Sequence, residues 1–217
     1  LMKNLILQHW YGPMQGWANK CKESIQDYAS KVNAEYHFLT GYPMGDFFEN
    51  TNTKPYLVIQ KLCMLLEKYD EYDNVLMLDM DMLFTSVVDD IFKYEGIGRL
   101  HKVGMKEANA SKNGRKWPKL YKQDYPMFFG NCVKLNRNER QILRSKLNKH
   151  VISAGVSSDG LPPNDEIIMH YLMHTTDVLN DRNVLELPHD RFCDLPEEAH
   201  PDATFLHYCG SRKRLIK

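Results

Sequence analysis

Features that direct a protein to a membrane, to nucleic acid or into a disulfide framework are missing from this 217-residue sequence. Its 28 basic and 28 acidic residues cancel, so no net field draws the chain to nucleic acid or to an anionic membrane surface. No apolar run approaches the roughly 20 residues that a membrane span needs. The N-terminus also lacks the apolar core of a signal peptide. The composition therefore favours an ordinary globular protein without a membrane span.

Cysteine is also scarce, and its pattern argues against two kinds of site. The five cysteines are an odd number and form no CxxC pair. Such a pattern is typical of reduced thiols in a cytosolic protein and disfavours a disulfide framework or a structural zinc site. We therefore expect a cytoplasmic location. Because Leu1 precedes the first methionine, we also expect a domain excised from a longer chain.

What the sequence does contain is a regular alternation of strand-like and helix-like segments in its first half. The predicted order is strand, helix, strand, helix, strand, at residues 4–10, 15–32, 35–40, 55–69 and 75–78. This order is typical of a parallel sheet wrapped by helices, which places the chain in the α/β class. Its length suits one such domain.

The second half of the sequence gives weaker signals. They predict short strands within residues 97–103, 126–135, 184–187 and 204–208, and helices at residues 138–150 and 164–174. Two long loops are predicted as well, at residues 106–125 and 153–163. The basic stretch from Lys102 to Lys122 could bind nucleic acid, but sparse aromatic residues and zero net charge favour a mobile loop instead.

The sequence is organised around residues 74–84. Four apolar residues, 75–78, lead directly into Asp79-Met80-Asp81, as in a strand buried on both faces of a parallel sheet. In extended backbone the two aspartates point to the same side, at the carboxyl end of the strand, where ligands bind in open α/β sheets. Two ionised carboxylates this close repel each other unless a cation or a proton lies between them. The motif therefore predicts a site for Mg²⁺ or Mn²⁺, ions that can also coordinate a diphosphate.

Other classes of protein use two aspartates at this spacing. An EF-hand is excluded, because counting from Asp79 its sixth position is Phe84 instead of Gly and its twelfth is Asp90 instead of Glu. A phosphatase of the haloacid dehalogenase type would use Asp79 as its nucleophile. It would, however, carry Thr or Val where Leu83 stands, and its motif would follow the first strand. This phosphatase and a nucleic-acid-binding module remain the two alternatives, whereas the missing Gly-rich phosphate loop disfavours a sugar nucleotidyltransferase.

Together with a second motif far along the chain, the aspartates resemble those of a known family. His207, Gly210 and Lys213 are similar to the HxxGxxK signature of the glycogenin-like and galactosyltransferase-like families. The combination resembles GT-A fold glycosyltransferases that use a nucleotide-diphosphate sugar. The whole chain looks most like the small glycosyltransferase domains of chlorella viruses. It departs from the signature families after Lys213, where Arg214-Leu215 stands in place of Pro-Trp.

This resemblance implies a single GT-A catalytic domain over residues 1–217, with a mostly parallel central sheet flanked by helices. Its nucleotide-binding half would be residues 1–100 and its acceptor-side half residues 101–217. The implied activity is a Mn²⁺- or Mg²⁺-dependent hexosyltransferase with a UDP-sugar donor, UDP-glucose or similar, although a deoxyhexose also fits. The acceptor would be a hydroxyl of a carbohydrate or of a glycoprotein glycan. We expect a monomer that binds no nucleic acid and, if viral, works in the host-cell cytoplasm.

The resemblance also implies roles for individual residues. Asp81 and His207 would bind the metal, and Asp79 would reach the metal or the ribose of the nucleotide. Residues 8–11, at the end of the first strand, would form the uracil and ribose pocket, where an aromatic ring can stack on the base. The expected donor-binding residues are Gln8, His9, Trp10, Tyr11, Lys61, Met80, Gly130, Asn131, Gly210 and Lys213.

Asp165 is the expected catalytic residue. It begins a predicted helix whose acidic start resembles the one that contacts the donor sugar in this fold. An inverting enzyme needs a carboxylate to take the acceptor proton, for which Asp165, Glu166 and Asp194 are candidates, whereas a retaining enzyme can do without one. Simpler explanations also exist, because helix capping favours acids at this position, core packing buries aromatic residues such as Trp10, and most lysines, Lys61 among them, are expected to be exposed.

Overall fold

The computed structural model of the chain describes residues 2–45, 58–100, 128–154, 165–176, 178, 192 and 195–216. Its strands are β1 Asn4–Trp10, β2 Glu35–Thr40, β3 Asn74–Leu78, β4 Met82–Phe84, β5 Gly98–Leu100, β6 Phe128–Asn136 and β7 Phe205–His207. Its α-helices are α1 Gly16–Lys31, α2 Arg137–Lys146, α3 Lys149–Ala154 and α4 Asp165–Thr175. Four 3-10 helices complete the described elements: Val58–Leu65, Glu67–Tyr69, Ile91–Lys93 and Gly210–Leu215.

A five-stranded sheet in the order β2-β1-β3-β6-β5 forms the centre of the fold. Strand β1 runs parallel to both β2 and β3, so the strand-helix alternation of the first half is confirmed. Strands β6 and β5 add to β3 in antiparallel orientation, which makes the second half of the sheet antiparallel. The α/β class is confirmed, and its parallel part is the β2-β1-β3 unit.

The two faces of the sheet lie against separate clusters of buried side chains. Because successive residues of a strand point to opposite faces, Leu5 and Leu7 belong to one cluster and Ile6 to the other. Ile168 and Leu172 of α4 pack in the first cluster, and residues of α1 pack in the second. The sheet is therefore covered on both sides, as the continuous apolar runs of β1 and β3 predict.

A separate two-stranded sheet brings the end of the chain to the end of β3. Strand β7 pairs antiparallel with β4, and this register sets His207 opposite Met82. The backbone N–H of Tyr208 also donates to the carbonyl oxygen of Asp81 at 2.8 Å. These contacts fix the position of His207 next to the turn that carries the two aspartates.

The helix predicted at residues 138–150 is in fact two helices. Helix α2 begins one residue earlier, because Asn136 and Glu139 form a capping box in which each side chain accepts from the other's backbone N–H. The chain then breaks after Lys146, and the side chain of Asn148 accepts from the backbone N–H groups of the next helix, α3. Helix α3 runs to Ala154, into the segment predicted as a loop.

The predicted helix at residues 55–69 also differs from the structure, which describes it from residue 58. Its backbone forms two 3-10 helices, Val58–Leu65 and Glu67–Tyr69, separated by Leu66 in extended conformation. A 3-10 helix aligns residues three apart, so Ile59, Leu62 and Leu65 fall on one buried face. The apolar spacing of this segment therefore suits the tighter helix.

Several predicted segments lie wholly or partly outside the described residues. These are the loop at 106–125, most of the loop at 153–163, the strand at 184–187 and Asn164 as a helix cap. Within the described residues, no helix is both long and apolar enough to cross a membrane.

Arg140 of α2 is a fully buried cation that joins this helix to the turn before β3. Its guanidinium donates to the backbone carbonyl oxygens of Leu135 at 2.8 Å, Tyr69 at 3.0 Å and Tyr72 at 2.7 Å. Burial lowers the pKa of Arg140 to about 10, so the group is still charged at neutral pH. The guanidinium of Arg140 therefore ties three separate backbone carbonyl groups to α2, and Tyr72 accepts in addition from Nε of Arg137 at 3.4 Å.

We predict that Arg140→Met lowers the free energy of unfolding by about 3 kcal/mol, because three buried carbonyl groups each lose a charged donor. Urea denaturation followed by circular dichroism measures the change. Lys146→Met is the matched control, because Lys146 lies on the same helix and is exposed. Equal losses of stability in the two variants would contradict the proposed importance of the buried guanidinium.

Candidate functional site

Three potential metal ligands converge where β3 ends. Single ligand atoms of Asp79, Asp81 and His207 all lie within 4.8 Å of one another. Nε2 of His207 is 3.2 Å from Oδ1 of Asp81 and 3.9 Å from Oδ2 of Asp79. Two carboxylates and one imidazole are a donor set that suits a divalent cation such as Mn²⁺, and these side chains are close enough to share one. The structure thus brings together the three residues that the sequence motifs single out.

Backbone and side-chain hydrogen bonds hold the first aspartate in place. The N–H of Asp79 donates to the carbonyl oxygen of Asn131 on β6 at 2.8 Å. The carbonyl oxygen of Asp79 accepts from the amide of Gln8 at 3.0 Å, and the other end of that amide accepts from the hydroxyl of Tyr36 at 2.9 Å. Gln8 is fully buried. Its observed contacts support the aspartate turn, although the sequence assigned it to the nucleotide pocket.

Lys213 neutralises the second aspartate. Its ammonium lies 3.1 Å from Oδ2 of Asp81 and 5.1 Å from the ring centroid of Trp17. Burial alone would raise the pKa of Asp81, but its hydrogen bond with His207 and the nearby ammonium of Lys213 outweigh it and bring the pKa to about 2. Asp81 is therefore ionised at neutral pH and ready to bind a cation.

A second lysine neutralises the first aspartate. Lys61, on the 3-10 helix Val58–Leu65, forms ion pairs with Asp79 and with Asp165, the latter at 3.1 Å. Burial alone would lower the pKa of Lys61, but the two carboxylates raise it above its ordinary value. Burial raises the pKa of Asp165, against the opposing charge of Lys61. Lys61 is thus a half-buried ammonium shared between two carboxylates, and the interpretation of it as an exposed lysine is wrong.

The absence of a side chain at Gly130 lets α4 lie against β6. A Cβ atom at this position would be 3.2 Å from Oδ2 of Asp165 and 3.3 Å from Cβ of Glu166. The backbone N–H of Gly130 donates to Oε1 of Glu166 at 2.8 Å. The acidic start of α4 is therefore held directly beside the strand that carries Asn131.

These side chains surround an open cleft with an empty volume of about 390 Å³. Below it lies a smaller recess of about 260 Å³, where Met64, Met77 and Met169 provide apolar walls. The residues that line the upper cleft are Lys61, Asp79, Gly130, Asn131, Asp165, Glu166 and His207. All except Glu166 were assigned to the metal, the donor or catalysis from the sequence, and Glu166 was an alternative base.

The end of β1 presents one aromatic ring to solvent and packs the other. Trp10 stacks edge-on against Trp17, with ring centroids 5.4 Å apart, and its indole N–H donates to the carbonyl oxygen of Pro13. Tyr11 is 49% exposed, and its ring centroid lies 5.1 Å from that of Tyr42. Of the two aromatic residues expected to meet a base, Tyr11 is the exposed one.

The remaining predicted donor residues have varied surroundings. The imidazole Nε2 of His9 lies 2.7 Å from the carbonyl oxygen of Gly41, and burial lowers the pKa of His9. Met80 is buried and packs with Ala18 and Cys21 of α1. Gly210 has a positive φ of 61° and begins the last 3-10 helix, a conformation that favours glycine. Asp194, the third candidate for a catalytic base, lies outside the described residues.

Sequence reasoning missed three aromatic residues at the site: Trp17, Tyr36 and Tyr42. One signal for Tyr42 was present, because Tyr11 and Tyr42 each follow the end of a strand, and those strands are parallel neighbours. Residues just beyond the ends of adjacent parallel strands lie at the same edge of the sheet. The contacts of Trp17 and Tyr36 join distant elements, and no local pattern indicated them.

Comparison with known proteins identifies the fold. No family model and no curated protein matches the sequence. Among solved structures, a glycosyltransferase involved in glycosylation of the major capsid of PBCV-1 matches 99% of this chain and 98% of its own, with a TM-score of 0.54 and 14% identity. The galactosyltransferase LgtC, in complex with donor and acceptor sugar analogues, matches 95% of this chain and 87% of its own, with a TM-score of 0.52 and 13% identity.

The bifunctional glycosyltransferase WbbM matches 97% of this chain but only 46% of its own, with a TM-score of 0.59 and 11% identity. Likeness at such low identity establishes the fold and leaves the activity to be argued from the site. The chain therefore has the GT-A fold of these glycosyltransferases.

We predict that Lys213→Met tightens the binding of Mn²⁺ to the nucleotide-free protein by roughly fivefold, because the cation then no longer displaces an ammonium from Asp81. In the presence of UDP the same substitution should weaken Mn²⁺ binding, because a diphosphate loses a cationic partner. Isothermal titration calorimetry measures both affinities. Arg214→Met, a change at the exposed neighbouring residue, should alter neither. Weaker binding of Lys213→Met to Mn²⁺ alone would contradict the competition.

Proposed function

We propose that the protein is a metal-dependent glycosyltransferase that moves a hexose from a UDP-sugar, UDP-glucose or similar, to a hydroxyl acceptor. The observation that supports this most strongly is the convergence of Asp79, Asp81 and His207 at the carboxyl end of β3. They form a cluster fit for a divalent cation in a fold that glycosyltransferases share. The cation would be Mn²⁺ or Mg²⁺, both of which bind carboxylate oxygens and diphosphates.

The bound cation would supply positive charge for the UDP leaving group as the glycosidic bond breaks. The chain's own residues would act around it. Lys213 pairs with Asp81 in the absence of ligand, and we infer that its ammonium transfers to the diphosphate when nucleotide binds. Lys61 keeps Asp79 and Asp165 in fixed positions through its two ion pairs.

The nucleotide would bind at the end of β1. We assign Tyr11 the role of stacking on uracil, because its ring is exposed and braced by Tyr42. Trp10 and His9 would form the wall behind the base and ribose, because both are already held by carbonyl groups of neighbouring loops. Gln8 would contribute by fixing the backbone of Asp79.

The donor sugar would occupy the cleft of about 390 Å³ next to Gly130 and Asn131. In an inverting reaction, the acceptor oxygen bonds to the anomeric carbon, the bond from that carbon to the diphosphate breaks, and a carboxylate takes the acceptor proton. Asp165 is our candidate for that carboxylate. Its raised pKa, caused by burial, makes it a better proton acceptor than an ordinary aspartate.

The proposed acceptor follows from the solved structures that share this fold. The PBCV-1 glycosyltransferase takes part in the glycosylation of a capsid protein, and LgtC was crystallised with an acceptor sugar analogue. We therefore propose a hydroxyl of a carbohydrate or of a glycoprotein glycan as the acceptor. A monomeric state and a cytoplasmic location remain predictions from the sequence.

We predict that UDP raises the melting temperature only when Mn²⁺ is also present. At a ligand concentration of about 100 times Kd, the stabilisation would be about 2.7 kcal/mol, a shift of roughly 5–10 °C for a chain of this size. Asp81→Ala should abolish the shift because it removes a metal ligand. Asp27→Ala, an exposed carboxylate of α1, should leave it unchanged. If UDP gives no shift with any divalent cation while beryllium fluoride does, the phosphatase alternative would replace this proposal.

A second prediction concerns Asp165. Asp165→Asn should lower the rate of sugar transfer by about 100-fold or more, because the amide cannot accept the acceptor proton. Its affinity for UDP and Mn²⁺ should stay within about twofold of wild type, since the base and ribose pocket is untouched. Glu23→Gln, a change at an exposed carboxylate of α1, is the control and should retain activity. Full activity of Asp165→Asn would exclude Asp165 as the base.

A further inference from the structure

Asn131 contacts two of the three candidate metal ligands. It lies on β6, is 6% exposed, and its backbone carbonyl oxygen accepts from the N–H of Asp79. Its side-chain Nδ2 lies 2.8 Å from Nδ1 of His207. Asn131 therefore joins the strand beneath the cleft both to the aspartate turn and to the imidazole. The family resemblance suggested a different role, a hydrogen bond to a hydroxyl of the donor sugar.

With Nδ2 of Asn131 facing Nδ1 of His207, the contact sets which nitrogen of the neutral imidazole carries the proton. An amide NH₂ group is a donor only, so a neutral imidazole that accepts from Nδ2 must have a lone pair on Nδ1 and a proton on Nε2. The Nε2–H group then points at Oδ1 of Asp81, 3.2 Å away. This tautomer suits the protein without metal. It cannot bind a cation through Nε2, because the lone pair needed for coordination is occupied by the proton.

Binding of a cation at Nε2 reverses this requirement. The proton of the neutral imidazole must then be on Nδ1, which becomes a donor and needs an oxygen opposite it. Asn131 has such an oxygen. Its Oδ1 is buried and, among the described residues, has no hydrogen-bond partner. A half-turn of the amide exchanges the two atoms and places Oδ1 against Nδ1.

We propose that Asn131 is a positioning residue that selects the tautomer of His207, with Nδ2 facing the imidazole in the metal-free protein and Oδ1 facing it when a cation is bound. The proposal rests on the metal-dependent function proposed above. A partner to the second nitrogen of a metal-binding histidine fixes the direction of the ring and is worth about 10–100-fold in metal affinity. The amide can serve both tautomers, whereas a carboxylate serves only one.

The first test measures the affinity for Mn²⁺ alone by calorimetry at one neutral pH. Asn131→Leu, which has a similar shape and no polar atom, should bind Mn²⁺ at least about 10-fold more weakly than wild type. Asn131→Asp should bind at least as tightly, because its carboxylate accepts only from Nδ1–H. Both effects should depend on His207. In a His207→Ala background, Asn131→Leu should therefore change the affinity by less than about twofold.

The added charge of Asn131→Asp is controlled in the same way, by comparing the double variant Asn131→Asp/His207→Ala with His207→Ala. Only the part of the gain in Mn²⁺ affinity that is lost in the His207→Ala background supports the proposal. Thermal melting of each variant without metal confirms that it is folded. If Asn131→Leu does not fold, Asn131→Asp and the spectroscopic test below still test the proposed role of Asn131.

The second test observes the tautomer directly by ¹⁵N NMR of the His207 ring. Wild type should carry its proton on Nε2 without metal and on Nδ1 after addition of Mg²⁺, a diamagnetic cation. Asn131→Asp should carry it on Nδ1 in both states. If wild type does not bind Mn²⁺ or Mg²⁺, the metal-dependent function fails, and this inference fails with it. Two results would overturn the role of Asn131 while leaving the metal-dependent function standing. In the first, wild type binds the cation and Asn131→Leu binds it equally well. In the second, Asn131→Leu lowers the affinity for the cation by the same factor in the His207→Ala background.

Discussion

The balance of charge around two neighbouring carboxylates is the constraint on which this structure most depends. Asp79 and Asp81 lie at the end of a buried strand, where two unpaired negative charges would be costly. Lys61 pairs with the first and Lys213 with the second. Each lysine is itself shared, Lys61 with a third carboxylate and Lys213 with an indole ring. A divalent cation would therefore enter by exchange with existing cationic partners, and its net affinity reflects the difference between the two arrangements.

The site combines a rigid frame with adjustable side chains. The aspartate turn donates a backbone hydrogen bond to Asn131 of β6 and accepts one from Tyr208, which follows β7. The buried amide of Gln8 donates a third, to the carbonyl oxygen of Asp79. The two lysines reach the turn on long side chains from 3-10 helices. Metal-binding side chains held by a rigid frame need little reorganisation when a cation binds, whereas the long lysine side chains can change partners within the same frame. This division would suit the proposed site, which holds a cation and releases a diphosphate.

The features predicted correctly from the sequence are those with a strong local pattern. The buried run before Asp79 identified β3, and the spacing of apolar residues identified α1. His207 required a motif that spans much of the chain. The antiparallel direction of β6 was not predictable, because an apolar strand pattern does not encode the direction of pairing. The role of Gln8 depends on partners 28 and 71 residues away, which no local pattern reveals.

The pairing of β4 with β7 would give a bound cation a structural role in addition to its proposed chemical one. Asp81 and His207 are separated by more than half of the chain, yet their side chains are in contact. An ion bound to both would join those two points in the folded chain, and its binding free energy would add to the stability of the fold because the unfolded chain does not hold the two ligands together. Metal occupancy and resistance to proteolysis would then be thermodynamically linked, and a cell that depletes the metal would also shorten the lifetime of the protein.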